Sequence, residues 1–294
     1  MPHVSVDGRD LHYLRRGAGE PLLLIQGMSG THVSWGEAFE AALEAAGLEL
    51  ITYDHRGVGR SARVEGPFTI ERLADDAAGL LDALGLQDVH VLGISMGGMV
   101  AQELALRHAS RLRTLTLGCT SSGGPHGPQA PSETSQLLGA AMLSGDRERA
   151  LRVGFEVNVS ARHAAEPGAY DVFRAMALEL PVPVPVILLQ LQAITSHDTS
   201  DRLGDVRAPT LVIHGTEDRM LPFADGERIA RLIPGARFVP LEAVGHMFWW
   251  EEPKRSARLV AEHALGARTT ASGSSTRWRA TRGGAWRPRC TEPP

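Results

Sequence analysis

The chain has few cysteines, no long apolar run and no large excess of charge of one sign, and each of these absences excludes a class of protein. The two cysteines, Cys119 and Cys290, are too few for a disulfide framework or a four-cysteine metal site, and they fit a reducing compartment. No apolar run approaches the ~18 residues of a membrane-spanning helix, and the first residues lack the basic and apolar regions of a secretory signal. We therefore expect a cytoplasmic protein with no membrane partner.

The charge balance gives no electrostatic reason to expect a nucleic-acid partner, because the formal net charge is −4. Hydrophobic residues make up 43% of the chain and charged residues 22%, close to the average of globular proteins. These proportions exclude a wholly disordered or fibrous chain.

Short apolar runs alternate with amphipathic stretches along much of the chain, and this alternation predicts βαβ units around a mostly parallel sheet. The chain is therefore assigned to the α/β class. The predicted strands are residues 22–25, 48–53, 89–92, 113–117, 210–213 and 237–241.

The pattern changes after the fourth predicted strand, where helical stretches follow without a convincing strand. We interpret residues 120–205 as a helical cap inserted into an α/β core formed by residues 1–119 and 206–267. Residues 268–294 hold six arginines and show no apolar periodicity, which predicts a disordered tail.

The pentapeptide Gly93-Ile94-Ser95-Met96-Gly97 directly follows a predicted strand and opens a predicted helix. This context is typical of a nucleophile elbow, a tight turn that exposes a serine hydroxyl and requires glycine where a side chain would clash. Ser95 is therefore the predicted nucleophile.

A serine nucleophile needs a base to accept its proton and an acid to orient that base. His246 follows the last predicted strand, where the base is expected. His214, at a strand end, could line the site, but a structural role is preferred for it. Asp218, on the loop after strand 210–213, is the preferred acid, and the adjacent Glu217 is the alternative.

The oxyanion of an acyl-transfer reaction needs two backbone donors. The predicted donors are the N–H of Met96, directly after the nucleophile, and the N–H of Met28, in the loop after the first predicted strand.

The pocket side chains are less well indicated by the sequence. Phe248 and Trp249, just beyond His246, either wall an acyl pocket or pack in the core. Leu189 belongs to an apolar group in residues 188–194 that we expect to cover the substrate. No metal is predicted, because the spacing of the acidic and histidine residues at 197–201 matches no helix-borne ligand pair.

With these motifs in place, residues 4–267 resemble the α/β-hydrolases. Besides the serine pentapeptide, the segment Asp54–Ser61 resembles the Asp-x-Arg-Gly-x-Gly-x-Ser turn of the family, Gly215–Asp218 its acid loop, and Gly245-His246 its histidine loop. The chain is most similar to small capped esterases and lactonases, such as 3-oxoadipate enol-lactonases and polyketide methylesterases. Many relatives have histidine at the position of Gln26.

The resemblance implies an α/β-hydrolase fold, with a mostly parallel central sheet, helices on both faces and a helical cap inserted after the sixth strand. It also implies that Asp54 and Arg56 brace the loop near the oxyanion donors.

The sequence thus predicts a cofactor-free serine hydrolase that cleaves a small-molecule carboxylic ester or lactone through an acyl-enzyme. A thioesterase, a perhydrolase or a carbon–carbon bond hydrolase would use the same three side chains. A non-catalytic, ligand-binding relative is the alternative from another class.

Overall fold

The computed structural model describes residues 2–124 and 133–271 of the chain. One sheet contains the eight strands of this part: β1 (His3–Val6), β2 (Arg9–Gly17), β3 (Glu20–Ile25), β4 (Leu48–Tyr53), β5 (Val89–Ile94), β6 (Leu112–Gly118), β7 (Thr210–Gly215) and β8 (Arg237–Leu241). All six predicted strands are confirmed, with ends that differ by two residues or fewer.

The hairpin of β1 and β2 was not among the predicted strands. The two strands pair antiparallel around Asp7 and Gly8, whose φ angles of +49° and +73° are those of a tight two-residue turn. The Asp-Gly dipeptide is the sequence signal for this hairpin.

The strand order is β1-β2-β4-β3-β5-β6-β7-β8. The pairs β1–β2 and β2–β4 are antiparallel, and every other neighbouring pair is parallel. Because the carboxyl ends of parallel strands meet at one edge, the loops after β3, β5, β6, β7 and β8 lie together there.

Eleven helices lie in the described residues: α1 (Glu37–Ala45), α2 (Ile70–Ala83), α3 (Met96–Arg107), α4 (Glu133–Leu143), α5 (Arg147–Asn158), α6 (Ala161–Ala164), α7 (Ala169–Glu179), α8 (Val184–Ser196), α9 (Phe223–Leu232), α10 (Phe248–Glu251) and α11 (Pro253–Ala271). Helices cover both faces of the sheet, so the buried strands are apolar at consecutive positions. Leu23 packs on the side of α2 and α3, whereas Leu22 and Leu24 pack on the opposite side with residues of α1 and α11.

Helices α4 to α8 all lie between β6 and β7, which confirms the helical insertion after the sixth strand. Residues 125–132 of the predicted cap lie outside the described residues. Helix α11 continues to Ala271, four residues beyond the predicted end of the core, and the remainder of the predicted tail lies outside the described residues.

No single described helix is both long and apolar enough to cross a membrane. The pair α7 and α8, bent by 100°, passes that test of length and composition only when the two helices are taken together.

Candidate active site

Ser95 occupies a sharp turn between β5 and α3, with φ +53° and ψ −124°. The turn is held by backbone contacts, since the Ser95 N–H donates to the Gly118 carbonyl at 3.0 Å and the Thr120 hydroxyl donates to the Ser95 carbonyl at 2.7 Å. Its neighbours Ile94 and Met96 are buried, whereas Ser95 is only half-buried. The turn therefore presents the serine side chain at the carboxyl edge of the sheet.

The glycines of the pentapeptide are required by close backbone approaches. A Cβ on Gly93 would lie 2.2 Å from the Gly97 carbonyl oxygen, and one on Gly97 would lie 2.1 Å from the Ile25 carbonyl oxygen. Both obstacles are backbone atoms, which cannot rotate away. The pentapeptide thus seats the start of α3 directly against the end of β3.

His246 and Asp218 meet at the same edge because they follow the adjacent parallel strands β8 and β7. The Nδ1 atom of His246 lies 2.7 Å from Oδ2 of Asp218. Oδ1 of Asp218 accepts the backbone N–H groups of Met220 and Leu221 at 2.8 and 2.9 Å. The neighbouring Glu217 is exposed, and so Asp218 is the acid in contact with His246.

A second imidazole touches the same carboxylate oxygen. Nε2 of the fully buried His214 lies 3.1 Å from Oδ2 of Asp218 and 3.2 Å from the Leu221 carbonyl oxygen. Because both neighbours are acceptors, Nε2 carries the proton. His214 thus lies at the site, which was the less favoured of its two predicted positions, and no local sequence pattern indicates that it bonds the acid.

The Asp218 carboxylate and the His246 imidazolium each stabilise the charged form of the other. Burial alone would lower the pKa of His246, but the adjacent Asp218 carboxylate raises this pKa well above its ordinary value of 6.5. Burial alone would raise the pKa of Asp218, but the charge of His246 and the hydrogen bonds from both imidazoles hold it well below 3.8. Asp218 is therefore ionised at neutral pH.

The buried Cys119 lies between the serine turn and the histidine. Its Sγ is within 4.8 Å of a ring nitrogen of His246 and of a carboxylate oxygen of Asp218, and its neighbour Gly118 accepts the Ser95 N–H. Within the described residues, Ser95 and His246 form no direct hydrogen bond, as is common before substrate binds. Burial raises the pKa of the Cys119 thiol, so this cysteine is a protonated neighbour rather than a nucleophile.

The loop after β3 lies against Ser95, since a Cβ on Gly27 would lie 3.0 Å from the Ser95 Cβ. Three of its backbone N–H groups have acceptors. Gly27 donates to Oε1 of Gln26 at 3.2 Å, Ser29 to Oε1 of Gln190 at 3.0 Å, and Gly30 to the Gly27 carbonyl at 3.2 Å. Met28 is the one residue of 27–30 whose N–H has no acceptor in the described part of the chain.

The other predicted donor is the backbone N–H of Met96, which directly follows Ser95. Met96 is the first residue of α3, where a backbone N–H has no acceptor within its own helix. The N–H groups of Met28 and Met96 are thus both available beside Ser95.

The Asp54–Ser61 turn bonds the residues on either side of the loop 27–30, Gln26 and His32, and its Arg56 is anchored to α2. Asp54 accepts the backbone N–H of His32 at 2.8 Å and that of Arg60 at 2.9 Å, and its carboxylate lies 3.0 Å from Nδ1 of His32. Nε2 of His55 bonds the Gln26 carbonyl at 3.0 Å. Arg56 forms a buried two-pronged ion pair with Asp76, at 2.5 and 2.6 Å.

Phe248 and Trp249 both pack in an apolar cluster of the core. Phe248 is fully buried, and its ring would be 2.7 Å from a Cβ on Gly118. Trp249 donates its indole N–H to the Ser34 carbonyl at 3.1 Å and packs beside Trp35. These contacts support the core alternative for both rings, and their place at a pocket wall stays a prediction.

The apolar residues of α8 divide between two faces. Leu188 and Leu191, three positions apart, are 59% and 45% exposed, whereas Leu189 is half-buried and packs against the core on the side of α2 and α3. The helical period places Leu188 and Leu191 on a different face of α8 from Leu189, and the expectation that this group covers the substrate stays a prediction.

Within the described residues, two groups of side chains are close enough to hold a metal ion: Cys119 with Asp218 and His246, and His12 with His32 and Asp54. In the first the thiol is protonated, and in the second Asp54 already accepts three hydrogen bonds. At the segment 197–201, Asp198 accepts from the N–H and hydroxyl of Ser200, and burial lowers the pKa of His197 to about 4.

The chain matches the family model described as the alpha/beta hydrolase fold over residues 20–253, and it belongs to this family. It is 32% identical to a protein of Azorhizobium caulinodans named as a candidate carbamate hydrolase, RutD, over 84% of this chain and 92% of the relative. It is 30% identical to the rhodomycin D methylesterase DauP of a Streptomyces species, again over 84% and 92%.

Among solved structures, it resembles the enol-lactonase of Burkholderia xenovorans. The TM-score is 0.78 and the identity 27%, over 90% of this chain and 100% of the neighbour.

Proposed function

We propose that this chain is a serine hydrolase that cleaves a carboxylic ester or lactone, with Ser95, His246 and Asp218 as its catalytic residues. The observation that carries the proposal is the 2.7 Å contact between His246 and Asp218 at the sheet edge where Ser95 is presented. The methylesterase and enol-lactonase relatives support the same class of reaction.

The proton positions follow from the geometry. Since Nδ1 of His246 faces an ionised carboxylate, Nδ1 keeps its proton in the neutral imidazole, and Nε2 is the free base once the pH exceeds the raised pKa of His246. His246 Nε2 removes the proton of Ser95 as its oxygen attacks the carbonyl carbon. Asp218 holds this tautomer and stabilises the imidazolium that forms.

The remaining steps use the same groups. The N–H groups of Met28 and Met96 stabilise the negative oxygen of the tetrahedral intermediate. His246 then gives its proton to the leaving alkoxide, which leaves Ser95 acylated. Water, deprotonated by His246, attacks the acyl carbon, and the bond from that carbon to the Ser95 oxygen breaks. His246 returns the proton to the Ser95 oxygen, and the carboxylic acid is released.

In this proposal, the helices between β6 and β7, within residues 120–205, form a cap over the active site. The cap selects the substrate. No arginine or lysine lies within residues 182–200, so nothing in this segment would neutralise an acidic substrate. We expect uncharged esters and lactones to be preferred over anionic ones.

Carbamate cleavage is the second candidate, and the identity to RutD favours it. A carbamate has the same carbonyl centre and requires the same nucleophile, base and oxyanion donors. Matched ester, lactone, thioester and carbamate substrates, compared by kcat/KM, separate these reactions.

The proposal is tested by turnover of a neutral chromogenic ester. Ser95→Ala is expected to lower kcat by roughly 10⁴-fold, because only binding and the oxyanion donors remain. Ser5→Ala, at an exposed serine on β1, is the control and should match the parent. Equal turnover by Ser95→Ala and the parent would contradict the proposal, and no turnover by either would favour a ligand-binding protein.

A further inference from the structure

Helix α8 carries a fully buried glutamine on the face that points into the molecule. Gln190 is 0% exposed, and the other buried residues of α8, Val186 and Ala193, are apolar. The side-chain oxygen of Gln190 accepts the backbone N–H of Ser29 at 3.0 Å, across 161 residues of sequence. Because Ser29 N–H can only donate, the amide must present its oxygen there.

This contact is the one polar interaction that offsets the burial of the side chain. The Nε2 atom of Gln190 has no partner in the described part of the chain. Burying an amide costs free energy unless it is hydrogen-bonded, and an apolar side chain would fill the same position at a lower cost. The hydrogen bond that Gln190 accepts from the Ser29 N–H is therefore the property that distinguishes it from an apolar residue at this position.

Ser29 belongs to the loop that supplies the free N–H of Met28. Its φ of +58° is unfavourable for a residue with a side chain, so the loop needs contacts that hold it. Ser29 is bonded to Gln190, Gly27 to Gln26 and Gly30 to Gly27, so Met28 is the residue of this loop whose N–H has no acceptor among the described residues. Loss of the Gln190 contact would remove the acceptor of the Ser29 N–H and would leave the loop free to relax.

We propose that Gln190 is a positioning residue that holds, from helix α8, the loop 27–30 in the conformation that aims the Met28 N–H at the substrate oxyanion. Gln190 thereby couples the cap to the reacting centre without touching the reacting atoms. The inference rests on the proposed serine hydrolase function.

The test compares Gln190→Met with Gln192→Met. Methionine keeps the length of glutamine without its polar atoms, and Gln192 lies exposed on the same helix. For a neutral ester we expect Gln190→Met to lower kcat by about tenfold or more, with KM within twofold, because an oxyanion contact acts mainly in the transition state. Gln192→Met should match the parent.

A trifluoromethyl ketone that mimics the same ester gives a readout that a purely structural role would not change. Ser95 oxygen adds to its carbonyl carbon, the serine proton passes to His246, and the ketone oxygen becomes a bound oxyanion. The inhibition constant should therefore rise in Gln190→Met by the same factor by which kcat falls. All rates are divided by the concentration of active sites, which is measured by titration with a fluorophosphonate. If Gln190→Met does not fold, Gln190→Ala takes its place.

The outcomes separate the two proposals. If the parent is not labelled at Ser95, the serine hydrolase function and this inference both fail. If Ser95 is labelled and Gln190→Met keeps the parent kcat and inhibition constant, only the inference is wrong. If KM and the inhibition constant rise together by one factor, Gln190 contacts substrate and does not position the loop, which also overturns the inference.

Discussion

Asp218 accepts four hydrogen bonds, two from backbone N–H groups and two from the imidazoles of His214 and His246. Each donor fixes the carboxylate further, so its direction toward His246 is set by the fold before substrate arrives. This satisfied carboxylate distinguishes Asp218 from the exposed Glu217 beside it.

Asp218→Asn is expected to lower kcat by about 10⁴-fold, because the amide favours the wrong tautomer of His246. Glu217→Gln removes the neighbouring charge without touching the histidine, and its kcat should stay within twofold of the parent. Steady-state turnover of a neutral ester measures both. A larger loss in Glu217→Gln than in Asp218→Asn would refute the assignment of the acid.

The pH dependence of kcat/KM should follow the raised pKa of His246. The base must be neutral to accept the serine proton, so activity should fall as pH drops through that pKa, with a midpoint above 6.5. In Asp218→Asn the midpoint should move down, because the carboxylate no longer favours the imidazolium. A parent midpoint at or below 6.5 would contradict this description of the pair.

The ion pair between Asp218 and His246 is also expected to make the free energy of unfolding depend on pH. Because folding raises the pKa of His246, its charged imidazole stabilises the folded state fully at pH values below 6.5. This contribution is lost as the pH rises through the folded-state pKa of His246. The lowered pKa of Asp218 contributes above 3.8 and is lost as pH falls through its folded-state value. The two groups share one interaction, so the parent should exceed Asp218→Asn most in unfolding free energy between pH 3.8 and 6.5, measured by denaturant titration.

At the residue scale, the sequence predicted what local motifs encode and missed what tertiary contacts create. Ser95, Asp218 and His246 each follow a strand in a recognisable context, and the structure brings the last two into contact. Gln190 and His214 carry no such context, because their partners are fixed by packing between segments distant in sequence or by a turn. Phe248 and Trp249 were ambiguous because an aromatic side chain suits a core and a pocket wall equally.

At the scale of elements, the sharpest constraint is the contact between the start of α3 and the end of β3. Gly97→Ala would place a Cβ 2.1 Å from the Ile25 carbonyl oxygen and 2.5 Å from that of Gln26. We expect a loss of about 1–3 kcal/mol in unfolding free energy, together with loss of ester turnover, because the backbone that holds the loop 27–30 must shift.

Gly139→Ala is the matched control for that substitution. It lies in α4 with no atom within 4 Å of the added Cβ, so it should be neutral or should gain up to about 1 kcal/mol from helix propensity. Denaturant unfolding of the two variants measures the difference. Equal stabilities would show that the serine turn accommodates a side chain.

The elements differ in how well their sequences reveal them. All six predicted strands were found, because each contains a short run rich in apolar or β-branched residues. The hairpin of β1 and β2 was missed because its strands carry many polar residues, as the exposed positions of an edge hairpin do, although Asp7-Gly8 marks its turn. In α8 the apolar run hid which face points inward, and only the packed structure shows that Gln190 lies on it.

At the scale of the whole molecule, the parallel sheet brings together groups that lie far apart in sequence. The loops after β3, β5, β7 and β8 supply Met28, Ser95, Asp218 and His246 at one edge, and the helices between β6 and β7 add Gln190. The order of the strands therefore determines the geometry of the candidate site, and the inserted helices modify it.

The central claim, that Ser95 is an activated nucleophile, is tested most directly by covalent trapping. The intact protein is treated with a fluorophosphonate, and the adduct is located by peptide mass spectrometry. We expect one adduct, on the peptide that contains Ser95, with no labelling of Ser95→Ala and slower labelling of Asp218→Asn. An adduct on another residue, or equal labelling of the parent and Ser95→Ala, would contradict the account.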